Sequence, residues 1–240
     1  TSIFGMIVLD KALSDVYTEI DMVTTPTGKP VAMVHCNTCT SDLDAYVKLF
    51  AEVLANSGVE VNKPALYDML YAEALKGDAD CNGIISFNYY SGEPVTDTLE
   101  GRPLLVRMPD TKFSLANFMR AQLYGTMATL RLGMNILFDK ENVKIEKLLG
   151  HGGLFKTPIV GQKLMAGALN TPVAVMETAG EGGAWGIALL ASYMVNKSDN
   201  ETLEDYLENK VFAEYKASVI EPDKADVDGF NEYIKRYESA

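Results

Sequence analysis

From Val143 to Val195 the chain alternates between two hydrophobic periods over short loops. VKIEKLLG, TPIVGQKLMAGALN, TPVAVMET and GAWGIALLASYMV read as strand, helix, strand and helix. This alternation restricts the fold to an α/β layer with parallel strands. Glycines follow each strand, as GHGG at 150–153 and within ETAGEGGAWG at 177–186. At a strand-to-helix junction, glycine lets the backbone take positive φ, or lets another molecule approach where a Cβ would stand. Such junctions present backbone N–H groups at a helix start, and two in consecutive units can line one crevice at the strands' C-terminal edge. Neither stretch is a GxGxxG or a Walker A motif. On the residues alone, small-anion or nucleotide binding and ordinary tight turns both stay open.

Upstream, SIFGMIVLD, TEIDMVTTP and KPVAMVHC are β-rich runs bounded by turn chemistry such as PTGKP, and predict three sequential antiparallel strands. Leu43, Tyr46, Val47, Phe50, Val53 and Leu54 predict a helix from Ser41 that ends at Ser57-Gly58. A second helix is expected from Asn62-Lys63-Pro64 to Lys76-Gly77, with Asn62 as its N-cap. A short strand in DADCNGIISFNYYSGEPV precedes RPLLVRM. The longest helical pattern covers 113–138, with one wide buried face through Leu115, Phe118, Met119, Leu123, Met127, Leu130, Met134 and Leu137. The acidic tail from Asp199 reads as two peripheral helices separated by IEPDKAD.

The 240 residues can bury a full core in one large domain or two small ones. Hydrophobic content of 48% and mean hydropathy of +0.01 are those of a soluble globular protein, and no apolar run reaches the roughly 20 residues needed to span a bilayer. A net charge of -12 argues against a nucleic-acid surface, which needs clustered Lys and Arg. The odd set Cys36, Cys39 and Cys81, without a signal peptide, points to a reducing, cytoplasmic setting and no disulfide framework. HCNTC at 35–39 with Cys81 can be drawn as a zinc set. However, His35 and Cys36, as strand neighbours, point to opposite faces, so no metal site is expected. The carboxylates of DLD at 42–44 and GDAD at 77–80 read as a helix start and a solvated loop. Trp185 reads as packing. The opening TSIFGMIVLD, strand-like at once and without an initiator Met, reads as cut from something longer.

These stretches resemble the FGGY carbohydrate kinases, the sugar-kinase branch of the actin and Hsp70 ATPase superfamily. GHGGLFKTPIVGQKLMAGALNTPVAV is similar to the family's strand, Gly-Gly, helix, small-residue-Pro-Val run. METAGEGGAWGIALLASYM is similar to its following Glu, Ala-x-Gly and Ala-Leu-Leu-Ala helix. FSLANFMRAQLYGTMATL resembles its long helix, with Arg120-Ala121 as the Arg-Ala pair, and NYYSGEPV resembles the loop before it. The resemblance covers nearly the whole chain and only the C-terminal half of the family's proteins, and it is greatest to xylulokinase-like pentulose kinases.

The resemblance implies a single ribonuclease H-like (actin-like ATPase) α/β domain over 1–240, a mixed sheet with helices on both faces and a peripheral helical tail from about 200. It implies the ATP-binding half of a kinase that transfers the γ-phosphate to a sugar hydroxyl, with a pentulose such as xylulose as acceptor. By the same likeness Thr1 and Ser2 match the end of a Gly-Thr turn near the nucleotide phosphates. Gly152 and Gly153 match the turn against adenosine, and Thr157 takes the place of a polar residue near the adenine. No catalytic residue is assigned within the chain. The aspartate base and the magnesium ligands are expected before Thr1, in a sugar-binding domain, so this chain alone is expected to be inactive and to bind nucleotide weakly. The implied partners are ATP, ADP and, through the absent domain, a sugar; self-association is expected through apolar surface left uncovered. His151 stands where an Asp or Gly is usual, and Pro158 follows Thr157. The alternatives are a nucleotide-binding module or an interaction module without sugar-kinase activity.

Overall fold

The computed structural model describes residues 2–176, 182–213 and 217–240. The three β-rich runs form strands Ile3–Val8 (β1), Ile20–Thr24 (β2) and Pro30–Cys36 (β3). All pairing is antiparallel, but β3 is central and the order is β1-β3-β2. PTGKP folds β2 tightly back onto β3, with the Thr25 amide donating to the Lys29 carbonyl. The longer β1–β2 link is instead tied to Glu141, whose carboxylate accepts from the Ser14 amide and hydroxyl and from the Tyr17 hydroxyl. Along β3, Ala32, Val34 and Cys36 are hidden, while His35 is exposed.

Helices Ser41–Asn56 (α1) and Lys63–Ala74 (α2) lie where periodicity and caps place them. The Asn62 side chain accepts from the Ala65 amide, satisfying a donor that the first turn leaves without a helical partner. Ile85–Phe87 (β4) and Leu104–Val106 (β5) make a small antiparallel pair.

The long helix Leu115–Asn135 (α3) starts at Ser114, whose hydroxyl accepts from the Asn117 amide, and continues into one wider turn, Ile136–Lys140. It buries more than the one face expected. Asn117, Arg120, Gln122, Thr126 and Thr129 are hidden alongside Met119, Leu123 and Met127. Polar residues are tolerated on such an axis where they have partners. Asn117 bonds Asp78 and the Lys112 carbonyl, and the Thr126 hydroxyl donates to the Leu123 carbonyl.

The predicted alternation then appears as Leu148–Gly150 (β6), Val160–Leu169 (α4), Val173–Met176 (β7) and Gly182–Asn196 (α5), with β6 parallel to β7. The α/β class is as expected, whereas the strands divide among three sheets instead of forming one. Within its sheet β6 pairs with β7 alone and forms one edge.

The tail corrects the sequence reading. After the short helix Leu203–Tyr206 (α6), strand Ala217–Ile220 (β8) adds antiparallel to β7, and Lys224–Ser239 (α7) follows, capped by the Asp223 carboxylate. Phe230, Tyr233, Ile234 and Tyr237, spaced for one helical face, are buried in the same hydrophobic cluster as Ile7, Leu43 and Met127. Burying a ring of this size stabilises by about 1.5–3 kcal/mol. Most of the tail's net acidity lies before α7, in residues 199–223, whereas Asp228, Glu232 and Glu238 on the outer side of α7 are balanced by Lys224, Lys235 and Arg236. No helix among the described residues is long and apolar enough to cross a membrane.

Candidate functional site

Because β6 and β7 run parallel, the segments after them leave at the same edge. The register Leu148↔Val173 to Gly150↔Val175 brings their ends level. Gly152 follows with φ +99° and ψ -173°, a conformation open essentially to glycine alone. A tight turn over Gly153–Phe155 comes next, closed by the Phe155 amide on the Gly152 carbonyl at 3.1 Å and the Lys156 amide on the Gly153 carbonyl at 3.2 Å. Ile159 then takes φ +74° and ψ -44°, held in a three-residue turn by the Val160 amide on the Pro158 carbonyl at 2.9 Å. Such a conformation in a β-branched residue is strained, and strain of this kind clusters at functional sites.

The support beneath this turn is packed and hydrogen-bonded. Leu154, Val160, Leu164 and Met165 are buried, and Gln162 Nε2 donates to the carbonyls of Val173 at 2.7 Å and Ser218 at 2.8 Å. One side chain thus fixes α4 across both β7 and β8. Above it the surface is open: a Cβ built on Gly152 or Gly153 meets nothing within 4 Å. Gly152 therefore serves the backbone, while Gly153 leaves space outside the protein.

The second glycine stretch lies beside the first. A Cβ on Gly182 would fall 2.6 Å from Nδ1 of His151, so the imidazole occupies the room that this glycine provides. Residues 177–181 of that stretch lie outside the described residues. Thr157 is half-buried, and its hydroxyl donates to Asp68 Oδ1 of α2 at 2.8 Å. Of the residues singled out from the sequence, Gly152, Gly153 and Thr157 share this one turn. Ser2 is exposed just before β1, on the sheet that does not carry β6, and Thr1 lies outside the described residues. Asp68, Ile159 and Gln162 were not singled out. Asp68 is far away in sequence, and Gln162 reads as an ordinary helix former until its strand contacts are seen.

The other chemically suggestive residues have structural partners. His35 sets its ring edge-on to Phe4 at 6.4 Å, while Cys36 and Cys81 are buried on the core side. Among the described residues, no three His, Cys, Asp or Glu come together to hold a metal. Asp44 accepts from the Tyr67 hydroxyl, and Asp80 pairs with Arg236 at 2.8 Å. Burial acts to raise the Asp80 carboxyl, but Arg236 and the Asn82 amide outweigh it and hold it below its ordinary range. Trp185 packs edge-on against Phe212, with ring centroids 5.5 Å apart.

Burial pushes the Cys36 thiol up to about 12 from an ordinary value of 9.0. Its folded value therefore lies above its unfolded one. The stability from keeping this thiol protonated is complete below pH 9 and is lost as pH rises toward 12. We expect urea midpoints of the parent to fall through that window more steeply than those of Cys36→Ala, and equal slopes would refute the assignment.

A model of the C-terminal domain of the FGGY family of carbohydrate kinases matches residues 1–195. Among solved structures, the chain is similar to xylulose kinase from Rhodospirillum rubrum, at 19% identity and a TM-score of 0.75 over 99% of this chain and 44% of that one. It is similar to Plasmodium falciparum glycerol kinase with ADP, at 17% identity and 0.70 over 99% and 45%. It also resembles gluconate kinase from Lactobacillus acidophilus, at 15% and 0.67 over 99% and 44%. At these identities the likeness establishes the fold, the actin-like ATPase fold of the α/β class. The chain spans less than half the length of these structures. No curated protein matches the sequence.

Proposed function

Since the chain belongs to the FGGY family of carbohydrate kinases, matching its C-terminal domain, we propose that it is the ATP-binding half of a cytoplasmic kinase that phosphorylates a sugar, a pentulose such as xylulose. Family members are phosphotransferases that use ATP, generally with Mg²⁺. The observation that carries the reading is the turn at the end of β6, which runs parallel to β7, with Gly152 at φ +99° and open space above Gly153. That space fits a flat ligand group lying against the backbone, such as an adenosine.

In this reading Gly152 and Gly153 support the adenosine, Thr157 meets the edge of the base, and Thr1 and Ser2 approach the phosphates. The bound nucleotide supplies the γ-phosphoryl group, and Mg²⁺ neutralises charge as it transfers in line to a sugar hydroxyl. The chain's own residues contribute position: Gln162 holds α4 to the sheet, and His151 lies against Gly182 at the start of α5.

Titration calorimetry of the full chain with MgATP and with MgADP tests the proposal. Saturable heat with both is expected, because the contacts invoked are to the adenosine that they share. An interaction module that self-associates is the second reading, favoured by α5, where Ile187, Met194 and Val195 are 68%, 78% and 82% exposed. Concentration-dependent self-association by light scattering, with no heat from either nucleotide, would decide for that reading.

A further inference from the structure

Resting on the reading of the Gly152–Thr157 turn as a nucleotide cradle, we infer that Asp68 is a positioning residue that makes the site prefer a 6-amino purine to a 6-oxo purine. The Thr157 hydroxyl donates to Asp68 Oδ1 at 2.8 Å. A hydroxyl has one proton and two acceptor lone pairs, and an ionised carboxylate only accepts. With its proton committed to Asp68, the Thr157 oxygen has only acceptor capacity left for a ligand. The next residue is Pro158, which has no N–H to offer at the same spot.

An acceptor in this position matches the exocyclic amino group of adenine. Against the C6 carbonyl of a 6-oxo purine it sets acceptor against acceptor and leaves a covered polar atom without a partner, the arrangement by which sites reject near-isosteric ligands. The carboxylate is well placed to hold this polarity, because α2 is fixed from its other side. Leu66, Leu70 and Tyr71 are buried in the core, and Asn62 caps the helix start. Thr157 is equally constrained, between the turn at Gly153–Phe155 and the strained Ile159.

ATP and ITP differ at the purine C6 position, amino in one and oxo in the other, so their affinity ratio for the full chain measures this polarity. The parent is expected to bind MgATP about tenfold more tightly than MgITP. Asp68→Asn keeps the side chain's shape but can also offer an N–H to the Thr157 oxygen, so the hydroxyl proton is no longer committed to it and is free to face the ligand. Its ratio should fall to about one or reverse. Thr157→Val should also lose the preference, and adding Asp68→Asn to it should change the ratio no further. Asp68 is exposed, so melting temperatures that match the parent's will show the variants to be folded. A parent that binds ATP and ITP equally, or an Asp68→Asn variant that weakens both alike, would overturn the role of Asp68 while leaving the nucleotide site standing. A parent that binds neither would overturn both.

Discussion

Arg120→Ala should lower the stability of the chain by about 3–5 kcal/mol, the typical cost of leaving one member of a buried ion pair without its partner. Arg120 lies in the middle of α3, with its side chain 4% exposed and that of Asp226 9% exposed. Its guanidinium donates to the Asp226 carboxylate, to the Tyr124 hydroxyl at 2.8 and 3.2 Å and to the Gly77 carbonyl at 3.2 Å. Burial by itself would lower the Arg120 pKa, but Tyr124 and Asp226 outweigh it and the net direction is upward. One planar group thus joins α3, α7 and the turn after α2. Asp226 Oδ2 is already without a hydrogen-bond partner, and Lys163, whose ammonium lies 3.6 Å away, has a side chain that is 41% exposed. Without Arg120 the carboxylate would have only that partly solvated cation.

Arg120→Lys should recover little, since a single ammonium cannot reproduce a planar fork of donors. By contrast, Arg120→Met combined with Asp226→Leu should recover most of the loss, because it removes the charge instead of isolating it. Urea unfolding of the three variants reads these differences. A loss below about 1 kcal/mol for Arg120→Ala would show that the network contributes no more than an exposed pair.

That network also marks where the sequence was hard to read. Residues 113–138 announce a helix by their period, but a period shows only which side is most apolar. It does not show that α2, α4 and α7 close over the polar side as well. Arg120 on one flank of the apolar stripe, and Gln122 and Thr129 on the other, look solvent-facing until their partners from distant segments appear. The tail misled for a related reason. Phe230, Tyr233, Ile234 and Tyr237 carry a helical stripe, yet the acidic residues among them suggested a peripheral helix, and the short ASVI strand needs β7 beside it to form. The parallel β6–β7 pair and the glycine turn after β6 were legible because period, turn chemistry and short loops all agree there. Asp68 was not, since 89 residues separate it from Thr157 and no local pattern connects the two.

The largest functional effect is expected from Gly153→Val. Gly152 would be a poor probe, because its φ of +99° would strain any replacement and confuse fold with function. Gly153 carries no such requirement, and a Cβ there meets nothing within 4 Å, so the substitution should change stability by no more than about 0.5 kcal/mol. Its side chain would project into the space assigned to the adenosine. Forcing extra carbons against a packed group typically costs about 1–3 kcal/mol, or roughly 5- to 150-fold in affinity. The effect should be equal for ATP and ADP, which share that group.

Calorimetry of MgATP and MgADP against the parent and Gly153→Val, with their urea midpoints measured alongside, tests whether the turn after β6 holds the nucleotide. The parent should bind both nucleotides, and an equally stable variant should bind both more weakly by the same factor, roughly 5- to 150-fold. A Gly153→Val chain that binds ATP and ADP as tightly as the parent would contradict this placement, because the turn after β6 would then not be where the nucleotide lies.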